Sequence, residues 1–128
     1  MYLIDTHVLI WYIAGDPRLD TTALTTIKDK SNLVFVSKVS LWEIVIKASI
    51  GKLKLDIDLS EIEKYLERNR IAELDFGYAE FKELNKLPLH HRDPFDRMII
   101  AQAITNKYTL ITDDPKFHLY PVQLLRSE

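Results

Sequence analysis

The chain has 128 residues and a formal net charge of −2, with 47% apolar and 28% charged residues. That length and balance fit one globular domain with its own core, and the charge excludes a global pull on nucleic acid or an anionic membrane. There is no cysteine, which excludes disulfides, thiol nucleophiles and thiolate metal sites and suits a reducing cytoplasm.

Met1-Tyr2-Leu3-Ile4 has no basic segment ahead of it, against a secretory signal, and the apolar stretch Val8 to Ala14 is shorter than the roughly 20 residues a bilayer span needs. Tyr2 to Ile4 reads as a short buried strand ending at Asp5, and His7 to Ile13 as a helix. Asp16-Pro17 restarts helix, with Asp16 as N-cap and Pro17 at the first helical position, running to about Lys28. Leu33 to Val36 is a second apolar run of strand type, and Val39 to Ile50 a helix closed by Gly51. Lys52 to Leu59 reads as loop, and Ser60-Glu61-Ile62-Glu63 opens another helix with a capping-box pattern. Ile71 to Leu74 is a third strand, Tyr78 to Leu84 a helix and Leu87 to Arg92 a loop. Asp93-Pro94 starts a helix reaching about Asn106; Thr109 to Thr112 is a fourth strand and Val122 to Leu125 a weaker fifth.

Strands alternate with helices, and the strands read as continuous apolar runs. This predicts a doubly wound α/β fold over residues 1–128, a parallel sheet of about five short strands with helices on both faces. Ligands of such sheets bind at the carboxyl ends of the strands. Asp5 ends the first strand, Glu43 lies early in the helix after the second, Asp93 and Asp96 open the helix before the fourth, and Asp113 and Asp114 follow the fourth.

Each acid also has a purely structural reading. Asp93 before Pro94 suits an N-cap, and Asp96 suits the first turn of its helix. Yet Asp96 lies on the stripe of Ile99, Ile100 and Ala103, and a carboxylate on a buried face needs a partner or a cation. Glu43 could complete a capping box with Ser40 or pair with Lys47; its helix is otherwise apolar nearly all round, as expected of a nearly buried helix. Asp113 and Asp114 could initiate a turn before Pro115, whereas Asp5 has the weakest structural explanation. Clustered carboxylates repel unless a cation neutralises them, and oxygen ligands favour Mg²⁺ or Mn²⁺. With three glycines, the chain has neither a phosphate-binding Walker loop nor a dinucleotide fingerprint, and it lacks a nucleophile elbow. His90 and His91 lie in a polar loop without metalloprotease spacing and read as solvated.

Leu3-Ile4-Asp5-Thr6-His7-Val8-Leu9-Ile10-Trp11 resembles the opening of PIN domains of the VapC type, and Ser40-Leu41-Trp42-Glu43-Ile44 their second acidic motif. His91 to Ala103, containing Asp93-Pro94-Phe95-Asp96-Arg97, is similar to a segment of one PIN subgroup, and Thr112-Asp113-Asp114-Pro115-Lys116-Phe117 to the last motif. The resemblance implies a PIN-like three-layer α/β/α fold. It also implies cleavage of single-stranded RNA with Mg²⁺ or Mn²⁺ through a metal-activated water. By position it makes Asp5, Glu43, Asp96 and Asp114 the catalytic quartet, with Asp5 and Asp96 the principal metal ligands. Glu43 and Asp114 would bind directly, through water, or as activators of the water. Thr112 would orient an acid or a water, Asp93 is a further candidate ligand, and Arg92 and Arg97 are candidate phosphate contacts. The family context adds a homodimer, a cognate antitoxin and the toxin role in a toxin–antitoxin pair.

A phosphoaspartyl phosphatase would need an aspartate where His7 stands, and a receiver domain a lysine ending the last strand, where arginine follows. The remaining rival is a catalytically inactive PIN-type scaffold that binds protein or RNA.

Overall fold

A computed structural model describes residues 1–54 and 58–126 of the chain. Residues 55–57, part of the expected Lys52 to Leu59 loop, lie outside them. The strands are β1 (Tyr2–Ile4), β2 (Val34–Ser37), β3 (Ile71–Leu74), β4 (Thr109–Thr112) and β5 (Leu124–Arg126). The helices are α1 (Thr6–Ala14), α2 (Thr21–Lys28), α3 (Lys38–Ser49), α4 (Leu59–Arg68), α5 (Tyr78–Lys86) and α6 (Pro94–Asn106), with a 3₁₀ helix at Pro115–Leu119.

The five strands form one parallel sheet in the order β3-β2-β1-β4-β5. Leu3, Ile4, Leu110 and Ile111 are all buried, so both faces of the central strands are covered. That is why their sequences run apolar without alternation. On one face Ile4, Val34, Val36 and Ile111 meet Val8 and Leu9 of α1, Ala23 and Ile27 of α2, and Ile62 and Leu66 of α4. On the other, Leu3 and Leu110 meet Met98, Ile99, Ile100, Ala101 and Ala103 of α6, together with Leu87, Phe117 and Tyr120. The result is three layers, α/β/α. No helix among the described residues is long and apolar enough to cross a membrane.

The sheet order decides where a site can form. The chain winds outward from β1 through β2 to β3, then returns to place β4 on the other side of β1. The reversal opens a crevice at the carboxyl ends of β1 and β4. Asp5 leaves β1 there, and Thr112 is the last residue of β4.

Several local expectations are corrected. α2 starts at Thr21, capped by Asp20, whose carboxylate accepts from the Ala23 and Thr22 backbone N–H groups. Asp16 instead accepts from the backbone and guanidinium of Arg18, and its own N–H closes α1 on the Trp11 carbonyl. The capping box of α4 is Asp58 with Glu61 rather than Ser60 with Glu63, a register that buries Ile62 and Leu66. α3 is capped by Ser37, and Ser40 accepts a hydrogen bond from the Thr6 hydroxyl at 2.8 Å. Nor is α3 nearly buried: Trp42 is 58% and Val45 44% exposed. In the last strand Val122 is excluded; its N–H turns back to the Tyr120 carbonyl.

Candidate active site

Asp5 is buried at the junction of β1 and α1, and it has the structural role its sequence context did not suggest. Its Oδ1 accepts the Val8 N–H at 2.8 Å as the N-cap of α1. Its Oδ2 accepts the Thr112 hydroxyl, which in turn accepts the Asp114 backbone N–H at 3.0 Å. Thr112 therefore orients two site segments at once. Burial pushes the Asp5 carboxyl up to about 6, opposed by the Thr112 and Val8 hydrogen bonds.

Glu43 comes from α3 and is 2% exposed. Its Oε2 accepts from the Lys47 ammonium at 2.6 Å, one turn along the helix. Its Oε1 is buried with no hydrogen-bond partner among the described residues. The Lys47 ammonium is held above its ordinary pKa, chiefly by that hydrogen bond and further by the charges of Glu43, Asp93 and Asp96.

Asp96 sits in the first turn of α6 with its side chain 15% exposed. Burial first, then the charges of Asp93, Asp5, Glu43 and Asp114, push its carboxyl up to about 8. Four chain segments thus deliver acids into one electrostatic field. Asp93 is the N-cap of α6, accepting from the Phe95 N–H at 2.9 Å and the Asp96 N–H at 3.4 Å. Asp114 caps the 3₁₀ helix, with Oδ1 accepting the Lys116 N–H at 2.9 Å.

Two expectations are overturned here. His91 is not a solvated loop residue: it is 7% exposed, and its Nε2 lies 2.9 Å from Asp114 Oδ2 and 3.1 Å from Asp96 Oδ2. Its neighbour His90 is exposed and lies edge-on to the Tyr120 ring. Arg97 is committed elsewhere than phosphate, because its guanidinium donates to the Pro88, Leu87 and His91 carbonyls and to the Tyr120 hydroxyl. Arg92 is exposed, and Asp113 is exposed beside Asp114.

The arrangement fits a hard divalent cation. Ligand atoms of His91, Asp96 and Asp114 lie within 4.8 Å of one another. Around them stand Asp5 and Glu43, whose orphaned Oε1 is a buried acceptor lacking a donor. A buried acceptor of that kind is costly unless a cation or ordered water meets it. Because Asp93 has a cap to lose, Asp93→Ala should cost roughly 1 kcal/mol of stability, equally with and without Mg²⁺. Paired thermal melts check this, and a loss confined to the Mg²⁺-bound protein would make Asp93 a ligand instead.

The PIN domain family model matches residues 2–122. Comparison with curated proteins finds no match. Among solved structures, the chain is similar to VapBC2 from Rickettsia felis bound to a DNA fragment from their promoter, with a TM-score of 0.70 and 20% identity over 98% of each chain. It is also similar to FitAcB from Neisseria gonorrhoeae (TM-score 0.66, 18% identity, covering 99% of this chain and 98% of that one). A structure of FitAB bound to the IR36 DNA fragment gives a TM-score of 0.67 at 18% identity, over 98% and 94% of the two chains. At such identities these likenesses speak for the fold, while the family match spans nearly the whole sequence and takes in Asp5, Glu43, Asp96 and Asp114. The chain belongs to the PIN-domain family.

Proposed function

We propose that this PIN domain is a Mg²⁺- or Mn²⁺-dependent endoribonuclease and the toxin of a toxin–antitoxin pair, working as a homodimer in the cytoplasm. The observation that carries the nuclease reading is Asp96, a largely buried acid raised to about 8 by burial and by the field of four other carboxylates. A fold that gathers unneutralised acids at a sheet crevice bears a repulsion that a bound cation relieves.

When bound, a divalent cation supplies a more acidic water and charge neutralisation at a phosphodiester. Asp5 and Asp96 would hold it. Both Asp5 oxygens already accept hydrogen bonds, which fixes the carboxylate and leaves a further lone pair on each. The Glu43 Oε1 is the acceptor best able to orient or deprotonate the attacking water, since it has no competing donor among the described residues. Lys47 offsets the Glu43 charge, and exposed Arg92 is left as the candidate phosphate contact. A groove lined by Leu41, Trp42, Val45, Leu59, Ile62 and Leu66 supports a protein partner, which we identify with an antitoxin, because apolar surface of this kind marks interaction sites.

The test is cleavage of single-stranded RNA by purified protein. Cleavage should need Mg²⁺ or Mn²⁺ and stop in excess EDTA; undiminished cleavage in EDTA would remove the metal from the reading. Expression without a partner should slow growth, and Asp5→Asn should abolish that effect at equal protein level. Equal toxicity of the variant would separate toxicity from nuclease chemistry.

A further inference from the structure

Within the acidic crevice, each ring nitrogen of His91 has a single role, Nδ1 as acceptor and Nε2 as donor. Its Nδ1 accepts the Asp93 backbone N–H at 3.1 Å. A backbone N–H is a donor and nothing else, so Nδ1 presents its lone pair, and in the neutral ring the proton sits on Nε2. That Nε2–H faces Asp114 Oδ2 at 2.9 Å and Asp96 Oδ2 at 3.1 Å. The ring is fixed from behind, lying edge-on to buried Phe117 with 5.7 Å between centroids, while the His91 backbone N–H donates to the Tyr120 hydroxyl at 2.7 Å.

Histidines that ligate metals have the reverse arrangement: the nitrogen away from the metal donates its N–H to a carboxylate or carbonyl. Here that nitrogen meets a donor, so Nε2 could ligate only by losing the Asp93 contact or the ring's one N–H proton. We infer that His91 is a positioning residue rather than a metal ligand: its Nε2–H donates to Asp114 Oδ2, with Nε2 3.1 Å from Asp96 Oδ2, and fixes the Asp114 carboxylate beside Asp96. Asp114 then has both oxygens engaged, Oδ1 by the Lys116 N–H and Oδ2 by His91. The inference rests on the metal-dependent reading of the site.

The tautomer can be read in the wild-type protein by imidazole ¹⁵N NMR, without any variant. The expected spectrum has Nε2 protonated and Nδ1 unprotonated, and it keeps that form when Mg²⁺ saturates. An Nδ1-protonated ring, or loss of the Nε2 proton on adding Mg²⁺, would make His91 a ligand and overturn the inference. In variants, His91→Ala should lower kcat about 10- to 100-fold, as loss of an outer partner does, with Mg²⁺ affinity within about twofold of wild type. His91→Gln, which keeps an N–H donor, should recover much of kcat. A tenfold or larger loss of Mg²⁺ affinity by calorimetry, or an unchanged kcat in His91→Ala, would contradict it. Wild type that binds no Mg²⁺ would instead refute the metal reading beneath it.

Discussion

Asp96→Asn should cut RNA cleavage at least about a hundredfold while raising the melting temperature of the metal-free protein. The first effect follows from losing a charged ligand, which exceeds the 10- to 100-fold loss usual for an outer partner. The second follows from the site's field. At neutral pH the Asp96 carboxyl must be charged amid four other acids or hold a proton against its ordinary preference, because burial and those charges push it up to about 8. Asparagine removes that strain, a gain on the order of 2 kcal/mol at about 1.4 kcal/mol per pKa unit, discounted for solvent. The opposing loss is the favourable acid at the start of α6, worth roughly 0.3–1 kcal/mol. Repulsion wins, so Tm should rise by several degrees in EDTA. Wild type should gain stability on adding Mg²⁺, and the variant should gain less. A variant that is less stable, insensitive to Mg²⁺ and still active would reduce Asp96 to a helix-end acid.

The same groups set an unusual pH dependence. Asp5 and Asp96 both have folded-state pKa values raised above 3.8, to about 6 and about 8. Their contribution to stability is therefore full below about pH 4 and is lost as pH rises through those values, since the unfolded chain releases the protons more readily. In EDTA, Tm should fall between about pH 4 and pH 8, with the upper part of the fall absent in Asp96→Asn. With saturating Mg²⁺ the trend should weaken or reverse, because a cation binds the ionised carboxylates. Scanning calorimetry at fixed ionic strength checks this. A metal-free Tm that rises steadily over the range would show that the acids are not strained.

The sequence made the sheet legible because parallel strands covered on both faces have to be apolar throughout, as Leu3-Ile4 and Leu110-Ile111 are. Helix starts were harder where polar residues compete. Asp16-Pro17 read as the cap, but the Asp16 carboxylate is taken up by the Arg18 N–H and guanidinium, and the cap falls to Asp20. The acids were legible by their place at strand ends. The Asp93 cap and the turn that Asp114 starts before Pro115 were legible too, whereas the Asp5 cap was not, and the Thr112 link depends on pairing strands far apart in sequence. His91 was misread because a polar loop signals solvent, whereas Phe117, Tyr120 and the turn into α6 bury this one. Arg97 was misread for the opposite reason: its charge suggested phosphate, but the carbonyls of Leu87, Pro88 and His91 in the loop before α6 take up its guanidinium.

The central claim is that the acids of this crevice hold a divalent cation that cuts RNA, and co-titration tests it most directly. Mg²⁺ is added to wild type and to Asp5→Asn purified in parallel, following metal occupancy by thermal shift and cleavage of a labelled single-stranded RNA in the same samples. The prediction is that occupancy and cleavage in wild type rise together with one midpoint, and that both are lost or greatly weakened in Asp5→Asn. Cleavage that is independent of occupancy, or equal in the two proteins, would contradict it.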